Sequence, residues 1–504
     1  MTTVASILDL VSLVPSPSPS VSLPPSQSTS SGNPLWAVLI VGLGSGLLVG
    51  AGAYLGARRS ARSLRQSAEE TLAHERTRLF NERFSTAAEL LGHDEAACRL
   101  AGVHAMAGLA DDWTERRQTC IDVLCAYLRM PYSPEPDHSA SVKPRLAWQA
   151  NRAVRHTVIR VIRDHLTPQT AADKTWTGYQ LDFTGAQFDG GDFTGAHFSS
   201  GTVSFSRATF SAEVSFTRAI FSGAAVSFSK ADFSGGTTDF AEASFLDGTI
   251  DFTGATLSSG MVDFGRARFS GAALRFHLAE LHGGTANFAE ATFSGGTVDF
   301  AQATLSSGTI GFRRATFSGG AVSFFQMRFD GGAFDLRRAE FSGGVVSFRQ
   351  ALFNGSEVDF THAKFSDGEV HFTNAVFRDG AVKFFEVLFY AGAVDFGRAN
   401  FSGGTVGFKY ARFLGSAVTF DEAYFSTSPI NFADAKFGAG NVAFGRATLS
   451  DNITFVGAFF SGGIVNLQEV KPGTLPLFNE GVPTDPPPGL LLPKWAHETG
   501  GLGA

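Results

Sequence analysis

Residues 214–236 read VSFTRAIFSGAAVSFSKADFSGG, and this stretch contains the pattern that decides the fold. Phe216 and Phe221 are followed twelve residues later by Phe228 and Phe233. The first of these positions recurs every 12 residues from Phe216 to Phe444, through 20 units with Leu336 as the one exception. A short period repeated so often predicts a solenoid in which each unit contacts only its neighbours.

Other positions of the unit are as regular as the phenylalanines. A mostly β-branched residue such as Val214 lies two positions before the first Phe, and Ala lies three positions after it, except at Met327 and Val387. These alternating apolar positions predict two very short strands per unit. Residues such as Thr217 and Arg218 form the tight corner between them, and the Gly-rich link forms the looser one.

The volume of the repeated apolar residues sets the number of units in a turn. A ring of 12 residues is too small to enclose two Phe, one Ala and one Val, so we expect two units, 24 residues, in each turn. Four sides then carry four stacked columns of Phe around a dry interior. With strands about 4.8 Å apart, the 20 units form about ten turns and a rod of roughly 50 Å, slightly longer with its irregular ends.

The composition agrees with such an interior. The chain has 504 residues with 50 Phe, 7 Tyr and 5 Trp, and 47 of the Phe lie between Phe183 and Phe460. A dry interior has no place for a tyrosine hydroxyl, which explains the excess of Phe. The net charge of -7 is mild and gives no reason to expect nucleic acid as a partner.

The spacing is five rather than twelve at the start of the array. Residues 182–198 read DFTGAQFDGGDFTGAHF, with Ala186 and Ala196 two positions before Phe188 and Phe198. This stretch resembles the pentapeptide-repeat family, and the 12-residue unit resembles two pentapeptides with a two-residue insertion. Over residues 176–470, the resemblance implies an all-β solenoid, a right-handed four-sided β-helix.

The N-terminal part of the chain predicts a membrane anchor. Residues 1–34 are rich in Pro and Ser and predict a disordered tail. Residues 35–57 contain no charge and are long enough to span a bilayer as a single helix. Because Arg58 is the first cationic residue, the positive-inside rule places the tail outside the cell and all later domains in the cytoplasm. A buried core helix and a cleaved signal anchor are the alternatives.

Three glycines in this span suggest an association of two copies. Gly42, Gly46 and Gly50 recur every four residues, a spacing that lets two membrane helices approach closely. The sequence therefore suggests a homodimer through this face, although Gly is common in membrane helices.

Residues 58–168 predict a small α-helical region. A first helix continues from the span and ends near Gly92, and further helices are expected at 95–110, 114–130 and 147–166, with a loop at 131–145. The region resembles the one that precedes such repeats in membrane-associated actinobacterial proteins. Residues 471–504 form a Pro- and Gly-rich C-terminal tail. Together with residues 455–470 this tail can partly cover the last turn, as the helices can cover the first.

Residues that could carry chemistry are few. Cys98, Cys120 and Cys125 suit a reducing compartment, and Cys120 and Cys125 with His104 are better explained as buried core residues than as a metal site or nucleophile. The sequence contains no phosphate-binding loop, zinc-protease or nucleophile-elbow motif. We therefore predict no enzyme, and no catalytic, cofactor-binding or metal-binding residues. Outward histidines are expected to occur by chance, at His277, His282, His362 and His371.

Two functions remain open. The first is a membrane-tethered cytoplasmic scaffold, in which the rod binds a protein partner of unknown identity. The second is mimicry of DNA that binds a type II topoisomerase, which some members of the pentapeptide-repeat family show. Residues 181–470 carry 28 acidic and 20 basic residues, a balance of -8, but arginine pairs interrupt any acidic stripe. The acidic outward positions are expected to form a solvated face. Phe325 and Phe385 are explained either as overfilled corners or as a small exposed contact patch. These aspartates are Asp239, Asp251, Asp263, Asp299 and Asp359.

Overall fold

The computed structural model describes residues 45–497 apart from positions 134, 138, 140, 427–428, 451, 473–474, 480–482 and 484, and for residues 45–64 it describes the backbone only. Within this described part, no helix is both long enough and apolar enough to cross a bilayer. The predicted tail 1–34 and Gly42 lie outside the described residues. The predicted span 35–57 lies partly outside them, and for Gly46 and Gly50 only the helical backbone is described. The membrane span and its pairing face therefore stay predictions.

Among the residues that the structure describes, four helices precede the strands and confirm the predicted helical region. They are α1 (Ser45–Leu91), α2 (Ala96–Asp112), α3 (Arg117–Arg129) and α4 (Val142–Leu166), with a 3-10 turn at Thr114–Arg116. Gly92 follows the first helix, as expected. Helix α4 begins five residues earlier than predicted because Pro144 lies in its first turn, where a missing N–H is tolerated. The chain divides into two compact units, Met1–Leu109 and Ala110–Ala504.

The second unit contains a parallel β-solenoid of about 13 turns. Its strands stack in four columns, which we call sides A, B, C and D in chain order. Four strands of eight residues continue from one side onto the next and so join pairs of sides into single sheets. Sides A and D form one sheet of 24 strands, and sides B and C form another of 21. Those four are Ile220–Ser227 and Ser244–Asp251, from side D to side A, and Leu352–Asp359 and Val376–Lys383, from side B to side C.

The remaining strands have two or three residues each. Side A has Leu181–Asp182, Thr202–Ser204, Ala273–Arg275, Thr297–Asp299, Ala321–Ser323, Val345–Ser347, Glu369–His371, Ala393–Asp395, Ala417–Thr419, Asn441–Ala443, Ile464–Asn466 and Leu490–Leu491. Side B has Gln187–Phe188, Thr209–Phe210, Asp232–Phe233, Thr256–Leu257, Glu280–Leu281, Thr304–Leu305, Arg328–Phe329, Asn400–Phe401 and Tyr424–Phe425. Side C has Gly191–Asp192, Val214–Ser215, Thr237–Asp239, Met261–Asp263, Thr285–Asn287, Thr309–Gly311, Ala333–Asp335, Thr405–Gly407, Ile430–Asn431 and Ile453–Thr454. Side D has His197–Phe198, Arg268–Phe269, Thr292–Phe293, Thr316–Phe317, Glu340–Phe341, Lys364–Phe365, Leu388–Phe389, Arg412–Phe413, Lys436–Phe437 and Phe459–Phe460.

The register confirms two units per turn. Phe245 pairs with Phe269 on side D, and Val262 pairs with Ala286 on side C, so partners in adjacent turns are 24 residues apart. The first turns are shorter, since Leu181 pairs with Val203. At about 4.8 Å per turn, 13 turns make a rod of roughly 60 Å.

Stacked phenylalanines fill the interior as the sequence predicts. The rings of Phe216 and Phe240 stack with centroids 4.8 Å apart and an interplanar angle of 8°. Across the rod axis, Phe228 meets Phe240 edge to face at 5.8 Å and 86°. Both geometries are favourable for aromatic rings, so each ring is held by neighbours above, below and opposite.

Both ends of the rod are covered. At the first turn, the Arg155 guanidinium of α4 donates to the Gln187 carbonyl at 2.8 Å, and Gln118 of α3 both donates to and accepts from the backbone of Gln180. At the last turn, the Phe478 ring stacks on Phe455 at 5.5 Å, and Leu490–Leu491 pairs with side A. Part of the predicted C-terminal tail is therefore built into the solenoid and satisfies its exposed strand edge.

Candidate protein-binding surface

Two of the four links between sides are tight corners that project side chains outward. We call them the AB corner and the CD corner after the sides that they join. At each corner a turn closes between the Phe carbonyl and the Ala N–H three residues later, as from Ala219 to Phe216 at 2.9 Å. The residue before that Ala adopts a positive φ, and at 20 described corners it is not Gly, with φ from 53 to 61°.

This backbone conformation costs a residue with a side chain about 1–2 kcal/mol relative to glycine. The tight corner at Thr217 and Arg218 is thus confirmed, but no sequence pattern indicated that Arg218 adopts the left-handed conformation. Glycine does fill this role in the looser links. Gly248 has φ +89°, and a Cβ there would lie 2.4 Å from the carbonyl oxygen of Ala224 in the previous turn.

The left-handed residues of the AB corner form a ladder along the rod. The Gln302 amide donates to Gln326 at 3.0 Å, and Gln326 donates to Gln350 at 2.8 Å. Further along, Glu422 accepts from Arg398 at 2.8 Å and pairs with Arg446 at 2.7 Å. Such ladders of equivalent residues hold the side chains of successive turns in register.

The equivalent ladder of the CD corner is charged. Glu290 lies between Arg266 at 3.0 Å and Arg314 at 3.4 Å, and these two cations lower the pKa of its carboxyl. The ladder continues through Arg338, His362, Glu386 and Tyr410. Its composition thus changes from turn to turn while the interior repeats.

Aspartates directly before the inward Phe have a structural role that the sequence analysis missed. Each accepts a hydrogen bond from the backbone N–H two residues on and so caps the corner, as from Ala301 to Asp299 at 2.9 Å. Asp239, Asp251, Asp263 and Asp359 do the same. The prediction of a merely solvated face was therefore incomplete, and the recurring D-F-x-x-A pattern was the available signal.

Phe325 and Phe385 do not form one contact patch, so that interpretation was wrong. They are 60 residues apart, which is two and a half turns of 24 residues. Phe325 accordingly lies on the AB corner, 38% exposed, and Phe385 lies on the CD corner. Phe385 contacts Tyr410 of the next turn edge to face at 5.4 Å.

Three of the four histidines singled out from sequence, His282, His362 and His371, face carboxylates. His282 contacts Glu280 at 2.9 Å, and His371 contacts Glu369 at 2.9 Å. His362 lies 3.3 Å from Glu386. Among the residues that the structure describes, no group of three or more His, Cys, Asp or Glu is placed to hold a metal ion.

The cysteines of α3 lie in the core. Cys120 and Cys125 are buried, and burial raises the pKa of the Cys125 thiol to about 12. A thiol with such a pKa stays protonated at neutral pH, and nucleophilic chemistry requires the thiolate. The geometry supports the explanation of Cys125 as a small core residue.

A charged cluster joins α4 to the first turn, and no sequence pattern indicated it. Asp189 accepts from the Tyr132 hydroxyl at 2.6 Å and contacts His156 and Arg152, each at 3.2 Å. Burial acts to raise the pKa of Asp189, but the bonds from His156 and Tyr132 and the charges of His156 and Arg152 outweigh it and lower the pKa. Beside it, Arg160, Gly191 and Glu213 help to line an open cleft of about 600 Å³.

Comparison with known proteins supports the repeat family for the start of the array. Residues 183–231 match the family described as pentapeptide repeats (9 copies). No curated protein and no solved structure matches the chain. The match includes the five-residue spacing of Phe183–Phe198 and extends into the 12-residue units, the first of which begins at Phe216. The origin of the 12-residue unit and the membrane-anchored actinobacterial type stay predictions.

Proposed function

We propose that this chain is a non-catalytic, rigid rod that binds a protein partner along its corners. The observation that carries the proposal is the set of 20 left-handed corner residues that are not glycine. Backbone energy alone favours Gly at each of them, yet the chain places Arg, Glu, Gln, His and Tyr there. Large side chains held at regular intervals on a rigid support form a recognition surface whose pattern depends on the sequence.

A rigid support favours binding because little conformational entropy is lost when a partner docks. The stacked Phe interior and the capped corners fix each outward side chain relative to the next turn. Residues enriched in protein interfaces, Arg and Tyr above all, occur among these positions.

The same proposal includes the membrane tether predicted from residues 35–57, with the rod in the cytoplasm. The uncharged stretch and the arginines that follow it support this topology. Deleting residues 1–57 should release the chain from the membrane fraction, and a C-terminal tag should be inaccessible from outside the cell. A tag that is accessible on intact cells would overturn the orientation.

DNA mimicry by the rod has less support. It needs a continuous acidic stripe, whereas the outward aspartates are half-buried corner caps bonded to backbone N–H groups, and Arg266, Arg314 and Arg338 interrupt the acidic residues of the CD corner. A supercoiling assay with gyrase would test this alternative directly.

The binding function is tested by capturing partners with the tagged full-length chain from its native host. The matched variant carries Gly at Arg266, Glu290, Arg314 and Glu422, which removes side chains and keeps the favoured backbone. A protein captured by the original chain and lost with the variant is the expected result. Identical captured proteins for both chains would contradict binding through these corners.

A further inference from the structure

Two successive turns of the CD corner each present a pair of arginines. Arg313 and Arg314 occupy the tip in one turn, and Arg337 and Arg338 occupy it in the next, all four exposed. Stacked turns are about 4.8 Å apart, so four guanidinium groups crowd one short length of the corner.

Only part of this charge is neutralised within the chain. Arg337 donates to Asp335 at 2.9 and 2.6 Å, and Arg314 shares Glu290 with Arg266. Within the described residues, Arg313 and Arg338 have no carboxylate within the 4.0 Å of an ion pair. Arg313 acts on Asp335 only at a longer distance than an ion pair, so these two guanidinium groups can form direct ion pairs with charges from outside the chain.

An aromatic cluster follows on the same corner. Phe385 and Tyr410 pack edge to face at 5.4 Å, and the Lys409 ammonium lies 4.9 Å from the centre of the Tyr410 ring. Tyr410 is 42% exposed. Arg313 and Tyr410 are four turns apart, a distance of about 19 Å along the rod. A bound peptide of roughly six extended residues has this length.

We infer that this strip, formed by Arg313, Arg314, Arg337, Arg338, Phe385 and Tyr410, docks a short acidic protein segment with an apolar or aromatic residue at one end. The inference rests on the proposed function and names the surface and the partner's chemistry. Carboxylates match the arginine fork in charge and geometry, and the Phe385–Tyr410 pair offers a flat apolar contact beyond it.

An acidic protein segment fits better than a nucleic acid. Asp335 and Asp359 lie beside Arg337, and Glu386 lies beside His362 two turns beyond Arg338, so carboxylates interrupt the positive charge and would repel a continuous row of phosphates. Nucleic-acid affinity depends on neutralising many phosphates, and the strip has only two arginines without an internal partner. A nucleic acid bound here is accordingly an outcome that would contradict the inference.

The test uses the full-length chain in its native host with a photo-crosslinking benzoylphenylalanine at position 385. The matched position is Phe325, which occupies the same place in its turn on the opposite corner. We expect crosslinks from position 385 to peptides with several acidic residues near the crosslinked site. Arg313→Glu/Arg338→Glu should lower their yield roughly tenfold, because like charges then face each other.

Arg207→Glu/Lys230→Glu, on the AB corner, changes the net charge equally and should leave the yield unchanged. If the double Glu variant melts at a lower temperature, Arg313→Gln/Arg338→Gln replaces it, and the yield should still fall. Crosslinks from position 385 to nucleic acid, or to peptides without an excess of acidic residues, would overturn the inference. So would a crosslink yield that neither the Glu nor the Gln double variant changes. Protein crosslinks at Phe325 but none at position 385 would overturn it and leave the proposed function standing. No protein crosslinks at either position would count against both.

Discussion

Phe334 supplies the aromatic ring that Leu336 lacks. Leu336 is the one interruption of the Phe column that runs through Phe312 and Phe360, and Phe334 takes the place of the β-branched residue two positions earlier. Both side chains are buried, and the Phe334 ring meets Phe324 edge to face at 5.0 Å and Phe348 at 5.8 Å. The larger side chain at position 334 thus compensates for the smaller one at position 336, and the two inward positions together fill the same interior volume.

This exchange predicts strong coupling between the two residues. Leu336→Phe alone should lower the free energy of unfolding by about 1–3 kcal/mol through overpacking, and Phe334→Val alone should lower it through the cavity that it leaves. The double variant restores the ordinary repeat and should come close to the original stability. Urea unfolding midpoints of the four chains measure the coupling. Additive effects would show that the two positions do not share one volume.

The left-handed corner at Lys230 predicts an unusual order of stability. Its φ is +56°, so Lys230→Gly should equal or exceed the original chain by up to about 1 kcal/mol, and Lys230→Ile should lose about 1–2 kcal/mol. Lys364 is the matched control, because it lies exposed in a strand where Ile is favoured over Gly. Thermal unfolding of the four variants should give opposite orders at the two sites. The same order at both would contradict a strained corner.

The corner cap at Asp299 predicts that the shape of the side chain matters more than its charge. Asp299→Ala removes the acceptor for the Ala301 N–H and should cost about 1 kcal/mol. Asp299→Asn should keep most of the stability, because Asn287 caps the N–H of Ala289 in the same way at 3.1 Å. Denaturant unfolding compares the three chains. Equal losses for Ala and Asn would instead assign the effect to the negative charge.

The contact between α4 and the first turn should weaken in acid. The pKa of Asp189 is lowered in the folded chain, so its contribution to stability is present above the unfolded value of about 4 and is lost as the pH falls through the folded value. The protection of the α4 amides from hydrogen exchange, taken relative to the intrinsic rate at each pH, should therefore fall below about pH 4 before that of the central turns. Asp189→Asn should lower this protection at neutral pH and change it less in this acid range. A uniform loss of protection along the whole chain would contradict a local effect.

The sequence was sufficient for the interior because a repeated position must face the same neighbours in every turn. The 12-residue period and the volume of two Phe led directly to the 24-residue register seen between Phe245 and Phe269. The sequence interpretation placed Phe325 and Phe385 in one patch because both occupy the same position of the 12-residue unit. The corner on which a residue lies depends instead on the 24-residue turn, and the two are two and a half turns apart.

Features that depend on contacts between unlike segments could not be predicted. Asp189 meets Tyr132 and His156 from a separate helical region, and no periodic pattern relates them. The left-handed φ of Arg218 was hidden because residues with side chains occupy a position where glycine would have been the recognisable signal.

The equivalence of the two halves of each turn has a consequence for how such a chain can change in length. Duplication of one 12-residue unit would preserve every kind of interior contact but would turn all later corners to the opposite side of the rod. Duplication of two units would leave their direction unchanged. The two kinds of duplication have the same effect on folding stability, because both preserve the interior contacts. Only binding to a partner on one side of the rod therefore constrains whether the number of units is odd or even.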